Sequence, residues 1–191
     1  MERIAIFASG TGSNAKKITE YFSSHSNIQV VLVVSNKSTA PVLEMAVDKG
    51  IATYVVDRPG FYGSEELLAV LKAHRVTFVV LAGFLWLVPA YLVAAFPKRI
   101  VNVHPALLPK YGGKGMYGMH VHRAVKAARE EETGITIHLV NEAYDEGRVL
   151  FQARCPVLPE DSPEAISEKV RQLEHEHFAP VIDKYLEAFN S

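Results

Sequence analysis

One cysteine, one tryptophan and no surplus of either charge mark the 191-residue chain by what it has little of. A single thiol, Cys155, excludes an internal disulfide and a cysteine-rich zinc site, and it fits a reducing, cytoplasmic setting. Twenty Lys and Arg face 21 Asp and Glu, a formal net charge of −1, and no block of like charge stands out. Nothing therefore points to nucleic acid or to an anionic membrane surface as a partner. Long apolar runs are missing too. Met1-Glu2-Arg3 leads straight into Ile4-Ala5-Ile6-Phe7-Ala8, too short for a signal-peptide core. The run from Val76 to Val88 is broken by Gly83 and falls short of a bilayer. Neither repeats nor low-complexity segments occur. What is present is material for a core: 49% of the residues are hydrophobic and 21% charged, at a length that suits one domain.

Strand and helix patterns alternate through the first two thirds. Apolar runs at 3–8, 28–35, 51–56, 76–82 and 100–104 read as buried strands. Helical stretches at 14–22, 41–49, 64–74 and 89–96 separate them, with Gly50 closing the second and Ser64 opening the third. Buried strands joined by helices pair in parallel through right-handed crossovers. The rhythm then changes to a glycine-rich loop at 111–118, a helix at 122–131, and strands at 134–140 and 148–157 joined by 141–147. Those two strands form an antiparallel pair. Ser162-Pro163-Glu164 opens a last helix that runs to about Phe189, with Ser as cap and Pro in the first turn. The expected class is α/β: an open, mostly parallel sheet, helices on both faces, and an antiparallel strand pair near the C-terminal end.

Three places carry candidate chemistry. At Asn102-Val103-His104-Pro105, alternate side chains of an extended chain point the same way, so Asn102 and His104 project together where Pro105 ends the strand. An amide and an imidazole there can hold a developing oxyanion and move a proton, although a lone His near a strand end is more often structural. Ala8-Ser9-Gly10-Thr11-Gly12-Ser13-Asn14 lies between a strand and a helix, where exposed amides favour a phosphate. It is neither a dinucleotide fingerprint nor a Walker loop, and an ordinary strand-to-helix turn reads equally well. Asp145, in Asn141-Glu142-Ala143-Tyr144-Asp145-Glu146-Gly147, reads locally as a turn residue. Folded over His104, its carboxylate would raise the imidazole pKa and favour imidazolium. His138 and Thr136 share a strand face and both face the site. His120 with His122, and His175 with His177, lack the cysteines or carboxylates of a metal site, so no metal is expected.

Together these segments resemble the phosphoribosylglycinamide formyltransferase family, folate-dependent enzymes of purine synthesis with a Rossmann-like fold. The pieces come in the family's order: Ser9 to Asn14, Val33-Val34-Ser35-Asn36-Lys37, Leu81-Ala82-Gly83-Phe84, Asn102 to Pro109, Gly134-Ile135-Thr136-Ile137-His138, and Asp145-Glu146-Gly147. The resemblance spans nearly the whole chain. It implies one formyltransferase domain over 1–191, with a phosphate-binding N-terminal half and a folate-binding, catalytic C-terminal half. It also implies Asn102, His104 and Asp145 as the catalytic trio, and Gly12, Ser13 and Asn14 as the loop on the substrate phosphate. Arg171 and Glu174 would contact phosphate and ribose. Leu85, Trp86, Leu87 and Val88, with Asn102 and Tyr144, would line the folate pocket.

The implied partners are glycinamide ribonucleotide and 10-formyltetrahydrofolate, the formyl donor, with no metal, no nucleic acid and no membrane, in a monomer or homodimer. The Asn102 amide and a protonated His104 would stabilise the oxygen charge, with Asp145 tuning His104. Two departures affect the folate tail: Trp86 and Ser64 stand where some members carry Arg. The 112–118 loop is longer than in many members and would act as a flexible lid. Methionyl-tRNA formyltransferase and formyltetrahydrofolate hydrolase share the catalytic segment but carry a further domain, for which this chain is expected to have no room. A non-catalytic sugar-phosphate binder is the alternative from another class.

Overall fold

Valine, isoleucine and leucine run through the strands of residues 1–101, and in the computed structural model, which describes residues 1–189, they form a parallel ladder. The chain divides into two compact units, Met1–Val101 and Asn102–Ser191. The first unit runs β1 (Glu2–Phe7), α1 (Ser13–Phe22), β2 (Ile28–Ser35), α2 (Pro41–Asp48), β3 (Ala52–Val55), α3 (Arg58–Gly63), α4 (Glu66–Ala73), β4 (Phe78–Leu81) and α5 (Ala90–Ala95). It closes on the start of β5 (Ile100–His104), which the second unit continues.

Strand order in the first unit is β3-β2-β1-β4-β5. β1 lies between β2 and β4 and is parallel to both, and its Ile4, Ala5, Ile6 and Phe7 are fully buried. Such strands carry continuous apolar runs because both faces are covered. The chain builds to one side of β1 and then crosses to the other side for β4. The carboxyl end of β1 is therefore a topological switch point, where open α/β sheets bind ligands.

One helix was absent from the sequence reading. The helix expected over 64–74 is α4, which starts at Glu66, and α3 is an additional helix before Ser64. Asp57 caps α3 by accepting from Gly60 N–H at 2.7 Å, and a proline occupies its first turn. Ser64 is extended, at φ −145° and ψ 165°, and its hydroxyl bonds back to Gly60 O at 3.1 Å. It separates the helices, and its hydroxyl also accepts from Glu66 N–H at the start of α4 at 3.4 Å.

The second unit holds the end of β5, α6 (Met119–Ala127), β6 (Glu132–Leu139), β7 (Val149–Pro156) and α7 (Pro163–Phe189). β6 and β7 pair antiparallel, as expected, from Glu132 opposite Pro156 to His138 opposite Val149. Their register shifts between Ile137 and His138. α7 packs on β6, β7 and α6, burying Ile166, Val170, Phe178, Ala179, Ile182 and Leu186. Ser162 caps it, accepting from Ala165 N–H at 3.1 Å. α6 starts at Met119, ahead of the expected 122, just after Gly118 at φ 51°. Among the described residues no helix is long and apolar enough to cross a membrane.

Candidate active site

Asn102 and His104 sit at the carboxyl end of β5, and the second unit gathers three more groups around them. Asp145 Oδ2 lies 3.4 Å from His104 Nδ1, and Asp145 Oδ1 lies 3.5 Å from His138 Nε2. Asn102 Nδ2 is 3.1 Å from the same His138 nitrogen. The expected trio is thus brought together, with His138 between Asn102 and Asp145. His138 Nδ1 is 2.9 Å from Leu139 O, which can only accept, so Nδ1 carries the proton. Nε2 stands between the Asn102 amide and Asp145 Oδ1. His138 stands where the β6–β7 register shifts, opposite Val149, while Ile137 lies opposite Phe151.

His104 has a second partner that the sequence did not announce. Its Nε2–H donates to Tyr111 O at 2.7 Å. That bond sets the neutral tautomer, leaving Nδ1 as the proton acceptor beside Asp145. Asp145 is braced in turn by Gly113 N–H at 3.0 Å. The two residues that hold the imidazole, Tyr111 and Asp145, both have φ 56°, a region that non-glycine residues seldom occupy. Between their loops, a Cβ on Gly112 would come 2.5 Å from a Leu108 methyl and 3.4 Å from Asp145 Cβ. Asp145 is a turn residue, as its local sequence says, and it also faces the histidine. Thr136 holds the preceding segment: its hydroxyl donates to Ala106 O at 2.7 Å and accepts from Leu108 N–H at 2.9 Å.

The electrostatics correct one expectation. His104 is only 3% exposed, and burial pushes its pKa below the usual 6.5. Asp145 and the Tyr111 carbonyl pull the other way without overcoming it. Neutral imidazole, not imidazolium, is the resting form at neutral pH. For Asp145, burial raises the pKa, but His138, the His104 charge and Gly113 N–H together outweigh it and hold the carboxyl below its usual value. His122 on α6 is buried, and burial, helped by the proximity of His104, takes its pKa to about 4. Its Nδ1 has no hydrogen-bond partner.

The first unit carries the other candidate groups. Gly12, at φ 75°, precedes α1, which has neither a capping side chain nor an acidic residue in its first turn. A Cβ there would come 2.4 Å from Val42 Cγ2, so only glycine fits. Ser13 and Asn14 open the helix. Ser9 ties this loop to the segment after β4: its N–H donates to Gly83 O at 3.1 Å, and its hydroxyl accepts from Leu85 N–H at 3.1 Å. Leu85 is 40% exposed, Trp86 and Leu87 are half-buried, and Val88 is buried in the core. Phe61, Tyr62 and Phe84 cluster on Trp86.

Other sequence candidates are placed as follows. Arg171 is exposed on α7 and ion-paired to Glu168, and Glu174 is half-buried one turn on. Tyr144 is exposed beside Asp145. His120 and His122 both lie on α6, where i and i+2 diverge: one is exposed, the other buried. Cys155 is half-buried in β7, where burial pushes its thiol pKa up. Among the described residues no group of three or more His, Cys, Asp or Glu is arranged to hold a metal ion.

Comparison with known proteins places the chain in a family. The family described as formyl transferase matches residues 2–182. A chloroplastic phosphoribosylglycinamide formyltransferase of Arabidopsis thaliana is 45% identical over 187 residues, covering 95% of this chain and 64% of that protein. The Vigna unguiculata counterpart is 39% identical over 97% of this chain and 61% of its own length. The chain thus spans somewhat less than two thirds of these relatives. The crystal structure of a glycinamide ribonucleotide transformylase from Symbiobacterium toebii superposes with a TM-score of 0.89, at 31% identity, over 98% of this chain and 89% of that one.

Proposed function

This chain belongs to the formyl transferase family, and from that premise we propose that it moves a formyl group from 10-formyltetrahydrofolate to the amine of 5′-phosphoribosylglycinamide. The products are N-formylglycinamide ribonucleotide and tetrahydrofolate, a step of de novo purine biosynthesis. The observation that carries the reading is the meeting of Asn102, His104 and Asp145 around His138 at 3.1–3.5 Å.

The chemistry follows from the protonation states. An amine attacking a formyl carbon must lose a proton while charge builds on the formyl oxygen. Neutral His104, with Nε2–H committed to Tyr111, accepts that proton at Nδ1. The imidazolium so formed lies beside Asp145, which stabilises it. His104 then returns the proton to the folate nitrogen as the old carbon–nitrogen bond breaks. The Asn102 amide, oriented by His138, donates to the charged oxygen, a role worth about 2.7–4 kcal/mol.

In this reading Gly12, Ser13 and Asn14 hold the substrate phosphate at the start of α1, which no side chain caps. Arg171 and Glu174 add contacts to phosphate and ribose. The exposed Leu85 and half-buried Trp86 and Leu87 would contact the folate ring, and so would Tyr144. Residues 1–191 act as one formyltransferase domain, in the cytoplasmic setting that the single cysteine favours. The test is one assay: incubate the chain with 10-formyltetrahydrofolate, with and without phosphoribosylglycinamide, and follow tetrahydrofolate release. Release that depends on the amine is expected. Release without it means a hydrolase, and none under either condition means a binder.

A further inference from the structure

His104 owes its tautomer to the Tyr111 carbonyl, yet Tyr111 stands in a backbone region that costs a non-glycine residue about 1 kcal/mol or more. Something must hold it there. The carbonyl end is engaged by His104. The ring packs against the buried cluster of Ala106, Val121 and Val125. The phenol hydroxyl donates to Glu130 Oε1 at 2.8 Å. Glu130 also receives Lys110 Nζ, at 3.0 and 3.2 Å on its two oxygens. Lys110 and Tyr111 are consecutive, so one carboxylate clasps both side chains of the dipeptide that enters the glycine-rich loop. Across the ring from that clasp, the backbone of Tyr111 meets the imidazole.

We propose that Glu130 is a positioning residue for His104, acting through Tyr111. Its carboxylate anchors the phenol, the anchored side chain holds the left-handed backbone, and the backbone carbonyl holds Nε2–H so that Nδ1 faces the reaction. The inference rests on His104 being the proton carrier of the proposed transfer. The other groups facing the imidazole are Asp145 from the β6–β7 connection, His138 from β6 and His122 from α6. None of these touches Nε2, where the Tyr111 carbonyl is the acceptor that holds the proton. Because that carbonyl favours the charged imidazole, loosening it lowers the His104 pKa further.

The experiment compares Glu130→Ala, Glu130→Gln, Tyr111→Phe and the Glu130→Ala/Tyr111→Phe double variant. Two readouts are taken: kcat and KM for formyl transfer, and the His104 ring nitrogens by NMR across pH. Glu130→Ala and Tyr111→Phe are each expected to lower kcat about tenfold with KM nearly unchanged, since only the proton carrier is misplaced. Each should move the His104 titration to lower pH and mix its tautomers. Glu130→Gln, which keeps an acceptor for the phenol, should recover most of the loss. The double variant should be no worse than Tyr111→Phe alone, because Glu130 works through that hydroxyl.

Unchanged tautomer and titration in both single variants overturns the proposal, as does a Glu130→Ala effect that persists in full without the phenol. The NMR titration needs no substrate. If the wild-type chain fails to transfer formyl groups, the functional reading falls while the positioning claim is still decided.

Discussion

At the scale of single residues, the site is an amide, an imidazole and a carboxylate whose roles differ because their surroundings differ. Replacing Asn102 with Ala removes the proposed oxygen donor and should cut kcat about 10²–10³-fold at little cost in stability. His104→Ala should lower turnover by orders of magnitude while the fold, followed by circular dichroism, persists. Asp145→Asn is the sharper probe. Asp145 raises the His104 pKa against the pull of burial. Its loss should slow turnover and move the acid limb of the kcat/KM profile to lower pH, since that limb reports protonation of the neutral base. A shift to higher pH would count against His104 as the base. Asn102 and His104 were legible in the sequence because alternation in a strand puts both on one face. Asp145 was legible only through the family resemblance, since nothing local separates a turn aspartate from a catalytic one. The sequence predicts a protonated His104 because it shows the carboxylate but not the depth of burial.

At the scale of elements, tight backbone contacts make the strongest claims. A Cβ on Gly134 in β6 would fall 1.8 Å from Ala153 O in β7. Gly134→Ala must therefore push the pair apart, and a loss of about 3 kcal/mol or more is expected in urea denaturation. Gly12→Ala combines a left-handed φ with a clash against Val42. It should raise the KM for the phosphorylated substrate several-fold while leaving the folate KM nearly alone, which steady-state kinetics would check. The α1 turn was legible from its glycines. The α3 helix is not legible in the sequence, although Asp57-Arg58-Pro59 carries a cap and a first-turn proline, because six residues are too few to show a helical period. The Tyr111 and Gly113 contacts came from a loop whose glycines suggested freedom; in the structure, backbone groups of that loop hold His104 and Asp145.

For the whole molecule, the pH dependence of stability follows from buried histidines. His104 and His122 both have pKa values below 6.5 in the folded chain. The unfolded chain takes up these protons first, so stability is complete above about pH 6.5 and falls as the pH drops toward the folded values. For His122, moved to about 4, the loss amounts to about 3 kcal/mol when the fall is complete. Thermal melts from pH 7 to pH 4 should show this decline, and His122→Leu should flatten it. A variant that melts with the same pH slope as the wild type would sink the assignment.

The sequence by itself determined the α/β class, the alternation that pairs Asn102 with His104, the glycine turn before α1 and the strand pair near the C-terminal end. These depend on neighbours in the chain, on periods of two and 3.6 residues, and on the backbone freedom of glycine. Tertiary structure alone decided that Asp145 meets His104, that His138 orients Asn102, that Tyr111 selects the tautomer, and that burial keeps the imidazole neutral. Each of these depends on distance through space and on exclusion of water, and neither quantity is a property of residues adjacent in sequence.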